Sequence, residues 1–155
     1  MPLSPAIERP PLDLPSTADP QFEERLCRFL DSLNTSWLHR VEAMSISRQV
    51  PRYQARLLGL LRAGAHRALV DGLLESPWPV AEIRFDSSVY DNGTFWDDYS
   101  VDFVHFDGTV TTLDLDDLDV DEQDLPGVLA DHASTVRPDY GDTLTIDLRT
   151  GEFSY

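Results

Sequence analysis

The feature that most constrains this chain is a change of hydrophobic period. Before Ser76-Pro77-Trp78-Pro79 the apolar residues recur every three or four positions, and after it they alternate. A helix returns to the same face every 3.6 residues and a strand every two, so a pattern suited to one cannot seat the other. Phe22, Leu26, Phe29, Leu30 and Leu33 predict a helix over about 20–34, with Asp19 as its cap and Pro20 at its first position. Residues 35–50 allow a short helix through Trp37, Leu38, Val41, Met44 and Ile46. It should stop before Pro51, because a proline disfavours helical backbone in the residue ahead of it. From Pro51 to Glu75 the helical period resumes through Tyr53, Leu57, Leu60, Leu61, Ala65, Ala68, Leu69 and Leu73. Gly59 and Gly64 inside that stretch imply close packing or a break.

Downstream, Ala81, Ile83 and Phe85 alternate with Glu82 and Arg84, and Asp91-Asn92-Gly93 is a hairpin signal. Tyr99, Val101, Phe103 and His105 form one face of the next strand, and Ser100, Asp102, Val104 and Phe106 the other. Asp107-Gly108 turns into a strand over 109–115, and a charged run over 114–124 leads to a short helix near Leu125-Pro126. Residues 143–148 read as a strand, turned by Arg149-Thr150-Gly151 into 152–155. Helices followed by strands give an α+β class: N-terminal helices packed on a C-terminal antiparallel sheet, a meander with one inserted short helix. A chain of 155 residues, 41% hydrophobic, fits one domain over 19–155, helical to 76 and sheet from 79. Prolines at 2, 5, 10, 11 and 15 make 1–18 an extended arm.

Charge is divided as sharply as period. Residues 1–39 hold three Arg against six acids, residues 40–70 six Arg against Glu42 alone, and residues 71–155 three Arg against 21 acids. The balances are −3, +5 and −18, which make up the net −16. All twelve basic residues are arginine, an expected mark of a G- and C-rich genome. No run approaches the roughly 18 apolar residues of a membrane helix, and Met1-Pro2-Leu3-Ser4-Pro5 does not begin a signal peptide. The single Cys27 has no partner for a disulfide within one chain. The expectation is a cytoplasmic protein that does not enter a membrane.

The run Asp114, Asp116, Asp117, Asp119, Asp121, Glu122, Asp124 invites a calcium reading. An EF-hand loop starting at Asp117 puts Glu122 where glycine is required and Val128 where the bidentate glutamate should stand. His39, His66, His105 and His132 show no metal spacing, and Cys27 lies beside an apolar stripe as a small buried thiol would. No phosphate-cradling glycine loop occurs, so no catalytic, cofactor-binding or metal residue is assigned and no cofactor is expected. Aromatic residues concentrate between 78 and 106, with Phe95 and Trp96 beside Asp97 and Asp98 near the hairpin. Aromatic rings flanked by carboxylates suit an interface containing arginines. The candidate partner-binding residues are therefore Phe95, Trp96, Asp97, Asp98, Asp116, Asp117, Asp119 and Asp121.

Direct nucleic-acid binding needs a positive footprint. The Arg52–Arg67 face supplies one, but the 18 excess negative charges after it argue instead for internal neutralisation against the sheet. An acidic sheet half, available aromatics and an absence of catalytic motifs give the chain a general likeness. In these respects it resembles the small acidic immunity proteins of bacterial polymorphic-toxin systems, compact cytoplasmic α+β domains that mask a toxin's active site. The resemblance implies a non-enzymatic module with a basic protein partner, such as a nuclease-like toxin. Two other classes fit the composition: a phage-type DNA mimic or inhibitor of a DNA-binding protein, and an enzyme whose site is assembled from dispersed Asp, Glu and His.

Overall fold

The computed structural model describes residues 19–118 and 125–155, so the arm read at 1–18 lies outside the described residues. The chain divides into two compact units, one up to Met44 and one from Ser45 to Tyr155. The division falls inside a helix.

In the first unit, α1 spans Phe22–Asp31. The helix starts later than the cap at Asp19 and first position at Pro20 expected from sequence: Gln21 holds the cap position without a side-chain cap bond, and Asp19 lies ahead of it, where Oδ1 accepts the Gln21 N–H at 2.9 Å and Oδ2 accepts Arg25 at 2.7 Å. These contacts, the Gln21 amide first, hold its carboxyl below the usual range. No residue of α1 is buried, and Cys27, expected as a buried thiol, is exposed, one position off the stripe of Phe22, Leu26, Phe29 and Leu30. A second helix, α2, spans Thr35–Val70. Asn34 caps it, Oδ1 accepting the Trp37 N–H at 3.0 Å, which satisfies one orphan donor of the first turn.

The stop expected before Pro51 does not occur: α2 runs through it. An interior proline costs a helix about 3 kcal/mol. Pro51 sits at an exposed position, flanked by the good helix formers Gln49, Arg52, Gln54, Ala55 and Arg56, and these carry the helix on. The helix also runs through Gly59, which is exposed with open space around it, and Gly64, which is buried.

The second unit is an antiparallel sheet with helices on one face. Its strands are β1 (Val80–Tyr90), β2 (Gly93–Trp96), β3 (Ser100–His105), β4 (Val110–Asp114), β5 (Thr143–Asp147) and β6 (Phe153–Ser154). A 3₁₀ turn covers Leu115–Leu118, and α3 covers Leu125–Val136. The strand order is β4-β3-β1-β5-β6, with β2 also on β1, so β1 is central. The meander is confined to β1 through β4, and α3 then carries the chain back so that β5 lies on the other side of β1.

Alternation along the strands decides what is buried. Ile83, Phe85, Val101, Phe103, Leu144 and Ile146 point to one face and meet Leu57, Leu60, Leu61 and Ala68 of α2 and Val128, Leu129 and Ala133 of α3. The opposite face carries Glu82, Arg84, Asp86, Asp102, Thr112, Thr145 and Asp147, matched across strands as Arg84 with Asp102 and Thr145, and Asp102 with Thr112. Among the described residues, no ion pair joins an arginine of α2 to this face. Arg62 donates instead to the carbonyls of Leu148, at 2.9 and 2.6 Å, and Arg149, while Arg67 pairs with Asp71 on its own helix side.

Two outcomes follow. In the β5–β6 turn, Gly151 has φ +76°, and a Cβ there would lie 2.8 Å from Leu58 Cδ2. Gly151→Ala is expected to destabilise by about 1–2 kcal/mol in urea unfolding, since left-handed backbone alone costs that much. Among the described residues, every buried hydrophobic side chain lies between Leu57 and Ile146. A chain starting at Ser45 should therefore keep one cooperative thermal transition, with Tm within about 5 °C of the parent; a non-cooperative melt would contradict this.

Candidate functional site

The site grows from a register jump. Ser87 pairs with Trp96 and Arg84 with Asp102, so 97–101 stand opposite Phe85 and Asp86 alone. Three extra residues, Asp97-Asp98-Tyr99, bulge from the sheet, and an odd insertion inverts the alternation. Trp96 and Val101, five apart, consequently both face the core. Asp97 pins the bulge: its N–H donates to Asp86 O at 2.7 Å, and its Oδ1 accepts the Tyr99 N–H at 2.8 Å.

Of the two rings named from sequence, Phe95 is half-buried and Trp96 belongs to the core. Trp96 is 2% exposed and does not reach the surface, whereas Tyr99, expected on one strand face with Val101 and Phe103, sits in the bulge at 73% exposure. Tyr99 is a surface aromatic preceded in the chain by Asp97 and Asp98. Its carbonyl accepts the Leu115 N–H at 2.9 Å, which ties the bulge to the 3₁₀ turn. Asp116 and Asp117 in that turn are exposed, while Leu115 and Leu118 anchor it in the core. Asp97, Asp98, Asp116 and Asp117 thus come to one end of the sheet. Asp119 and Asp121 lie outside the described residues. Among the described residues, no arginine pairs with Asp98, Asp116 or Asp117; the ion pairs are Arg25–Asp19, Arg28–Glu24, His39–Glu42, Arg67–Asp71 and Arg84–Glu82.

Beside the bulge, a recess of about 190 Å³ is lined by Tyr90, Asn92, Phe95, Trp96, Asp98, Pro126 and Ala130. Phe95 is half-buried and meets Tyr90 edge to face, ring centroids 6.0 Å apart at 76°. The Tyr90 hydroxyl donates to Asp98 Oδ1 at 2.9 Å. Burial and this carboxylate push the Tyr90 phenol up to about 12, so it stays a donor at neutral pH. Tyr90, Asn92, Pro126 and Ala130 were not among the residues chosen from sequence. Tyr90 could have been: the Asp91-Asn92-Gly93 hairpin pairs it with Gly93, two residues from Phe95, within diagonal reach across the strands.

The buried side of Trp96 explains why it is withheld from the surface. Its Nε1–H donates to His132 Nδ1 at 3.1 Å, so the imidazole carries its proton on Nε2, 3.2 Å from the Tyr155 hydroxyl, which also accepts from Gln54 at 3.0 Å. The Tyr155 ring stacks on both Trp96 and His132. His105 is buried elsewhere, with Nδ1 2.7 Å from Trp78 O and Nε2 3.0 Å from Thr111 Oγ1. The two histidines share no partner. A second recess of about 330 Å³ gathers Glu82, Arg84, His105, Asp147 and Arg149. There Arg84 binds Glu82, and Asp147 Oδ1 accepts the turn N–H groups of Arg149 and Thr150. Among the described residues, no group of three His, Cys, Asp or Glu is placed to hold a metal ion, and no helix is long and apolar enough to cross a membrane.

Burial pushes His132 down to about 4. Its unfolded value is near 6.5, so the unfolded chain protonates first as pH falls. Stability from the neutral ring is complete above about pH 6.5 and is lost as pH drops toward 4, on the order of 2–3 kcal/mol. The carboxyls of Asp19, Asp107 and Asp147, held below 3.8, contribute at lower pH. Urea midpoints at pH 7.5 and 4.5 should differ clearly in the parent and much less in His132→Gln; equal slopes would remove His132 as the cause.

Comparison with known protein families, with curated proteins and with solved structures finds no match to this chain.

Proposed function

We propose that this chain is a non-enzymatic protein-binding module of the bacterial immunity or antitoxin type, acting in the cytoplasm to neutralise a basic, nuclease-like toxin through the acidic hairpin end of its sheet. The observation that carries the reading is the meeting of Asp98, Asp116 and Asp117 around exposed Tyr99, with no arginine of the described residues pairing them. Like charges held together by a backbone hydrogen bond repel one another, and a cationic surface relieves that repulsion on binding. Such complementarity speeds encounter and rejects wrong partners, while an exposed tyrosine supplies the contact area of an interface anchor. A nuclease cleft built to hold phosphate offers the matching charge.

The DNA-mimic reading is less well supported, because Arg84 stands among the carboxylates of the open sheet face and salt-bridges Glu82 there. The enzyme reading has its best footing in the second recess, yet His105, Glu82 and Asp147 are each occupied by structural bonds.

The test is co-expression with the basic protein encoded by the adjoining gene, followed by affinity measurement at two salt concentrations. The wild-type chain should suppress toxicity and form a complex. Asp116→Lys with Asp117→Lys should weaken binding at least tenfold, about 1.4 kcal/mol. Persistent toxicity without a complex sinks the immunity reading, and undiminished affinity of the double variant removes the 3₁₀ turn from the interface.

A further inference from the structure

We infer that the recess between the β1–β2 hairpin and α3 is a guanidinium pocket, which receives one arginine side chain of a basic protein partner. The inference rests on the functional reading above for its occupant and names the group that is recognised.

Its walls and floor fit that group. The rings of Tyr90 and Phe95 meet edge to face on one side, and Pro126 and Ala130 of α3 close the other. Aromatic faces attract cations, and a planar, weakly hydrated guanidinium stacks on them better than an ammonium does. At about 190 Å³ the recess admits a guanidinium and its last methylenes, and it falls below the roughly 300–1,000 Å³ of sites for drug-sized ligands.

The carboxylate is preset for the task. Tyr90 donates to Asp98 Oδ1, which fixes the rotation of the group and leaves Oδ2 to accept a second donor. Asn92 adds an amide to the lining. No described arginine pairs with Asp98, and the segment from residue 71 onward carries −18, so charge favours a cationic occupant over a neutral one. The exposed Asp116 and Asp117, on the turn bonded to Tyr99, add to the negative charge of this half of the chain.

The probe is N-acetyl-arginine amide, titrated into the ¹⁵N-labelled full chain by NMR, with N-acetyl-norleucine amide as an apolar control. The arginine derivative should shift amides within 90–98 and at Ala130 and bind at least threefold more tightly than the control. Asp98→Asn should reduce its affinity at least fivefold. Asp98 is exposed, and an unchanged spectrum elsewhere verifies the fold of that variant; should it unfold, Tyr90→Phe, which deletes only the orienting hydroxyl, should weaken binding twofold or more. Equal affinity for norleucine amide, shifts mapping elsewhere, or indifference to both substitutions would overturn the pocket. The probe needs no protein partner. Binding of arginine amide without complex formation would overturn the functional reading alone, and a toxin complex with no arginine-amide binding would overturn the pocket alone.

Discussion

Everything in the second unit leans on β1. Among the described residues it is the one strand that pairs with three others, and its Ile83 and Phe85 are fully buried in the core that the sheet forms with α2. Removing two such side chains from water stabilises by roughly 3–6 kcal/mol, a large share of what a small domain has in total. The central strand has its own register shift between Val80 and Glu82, away from Ile83 and Phe85, and the larger irregularity falls on its neighbour. The strand beside it absorbs three additional residues, and these stand at the candidate site.

That displacement links core and surface. Asp97 closes the bulge with backbone hydrogen bonds and so is largely spent on structure, which leaves Asp98 and Tyr99 to face outward. Trp96, immediately before the bulge, turns inward and is fixed by His132. A single insertion therefore places a tryptophan in the core and a tyrosine with a carboxylate on the surface, within four consecutive residues.

The architecture was legible because it follows from period: the switch near Pro77 separates helices from strands, and alternation at Ile83, Phe85, Val101 and Phe103 marks the buried face. The course of α2 was not, since Pro51 is a local breaker whose effect depends on what surrounds it, and an exposed position with strong helix formers on both sides outweighed it. In the candidate site, Asp98, Asp116 and Asp117 are the residues named from sequence that the structure leaves exposed. The choice between Trp96 and Tyr99 was not legible, because it depends on a pairing register set by Arg84 and Ser87, far away in sequence. Tyr90 was within reach of hairpin geometry; Pro126 and Ala130, brought in from α3, were not.

With α2 and α3 on one side of the sheet, the other side offers a broad, regular surface to which a second copy of the molecule could stack. Its chemistry discourages that. Glu82, Asp86, Asp102 and Asp147 would face their own images, and hydroxyls are already engaged within the sheet, Thr112 with Asp102 and Thr143 with Asp86. Two such faces pressed together would have to strip water from carboxylates while gaining almost no apolar contact. The open side of the sheet thus acts as a barrier to face-to-face aggregation, and the excess of acid favours keeping the molecules dispersed.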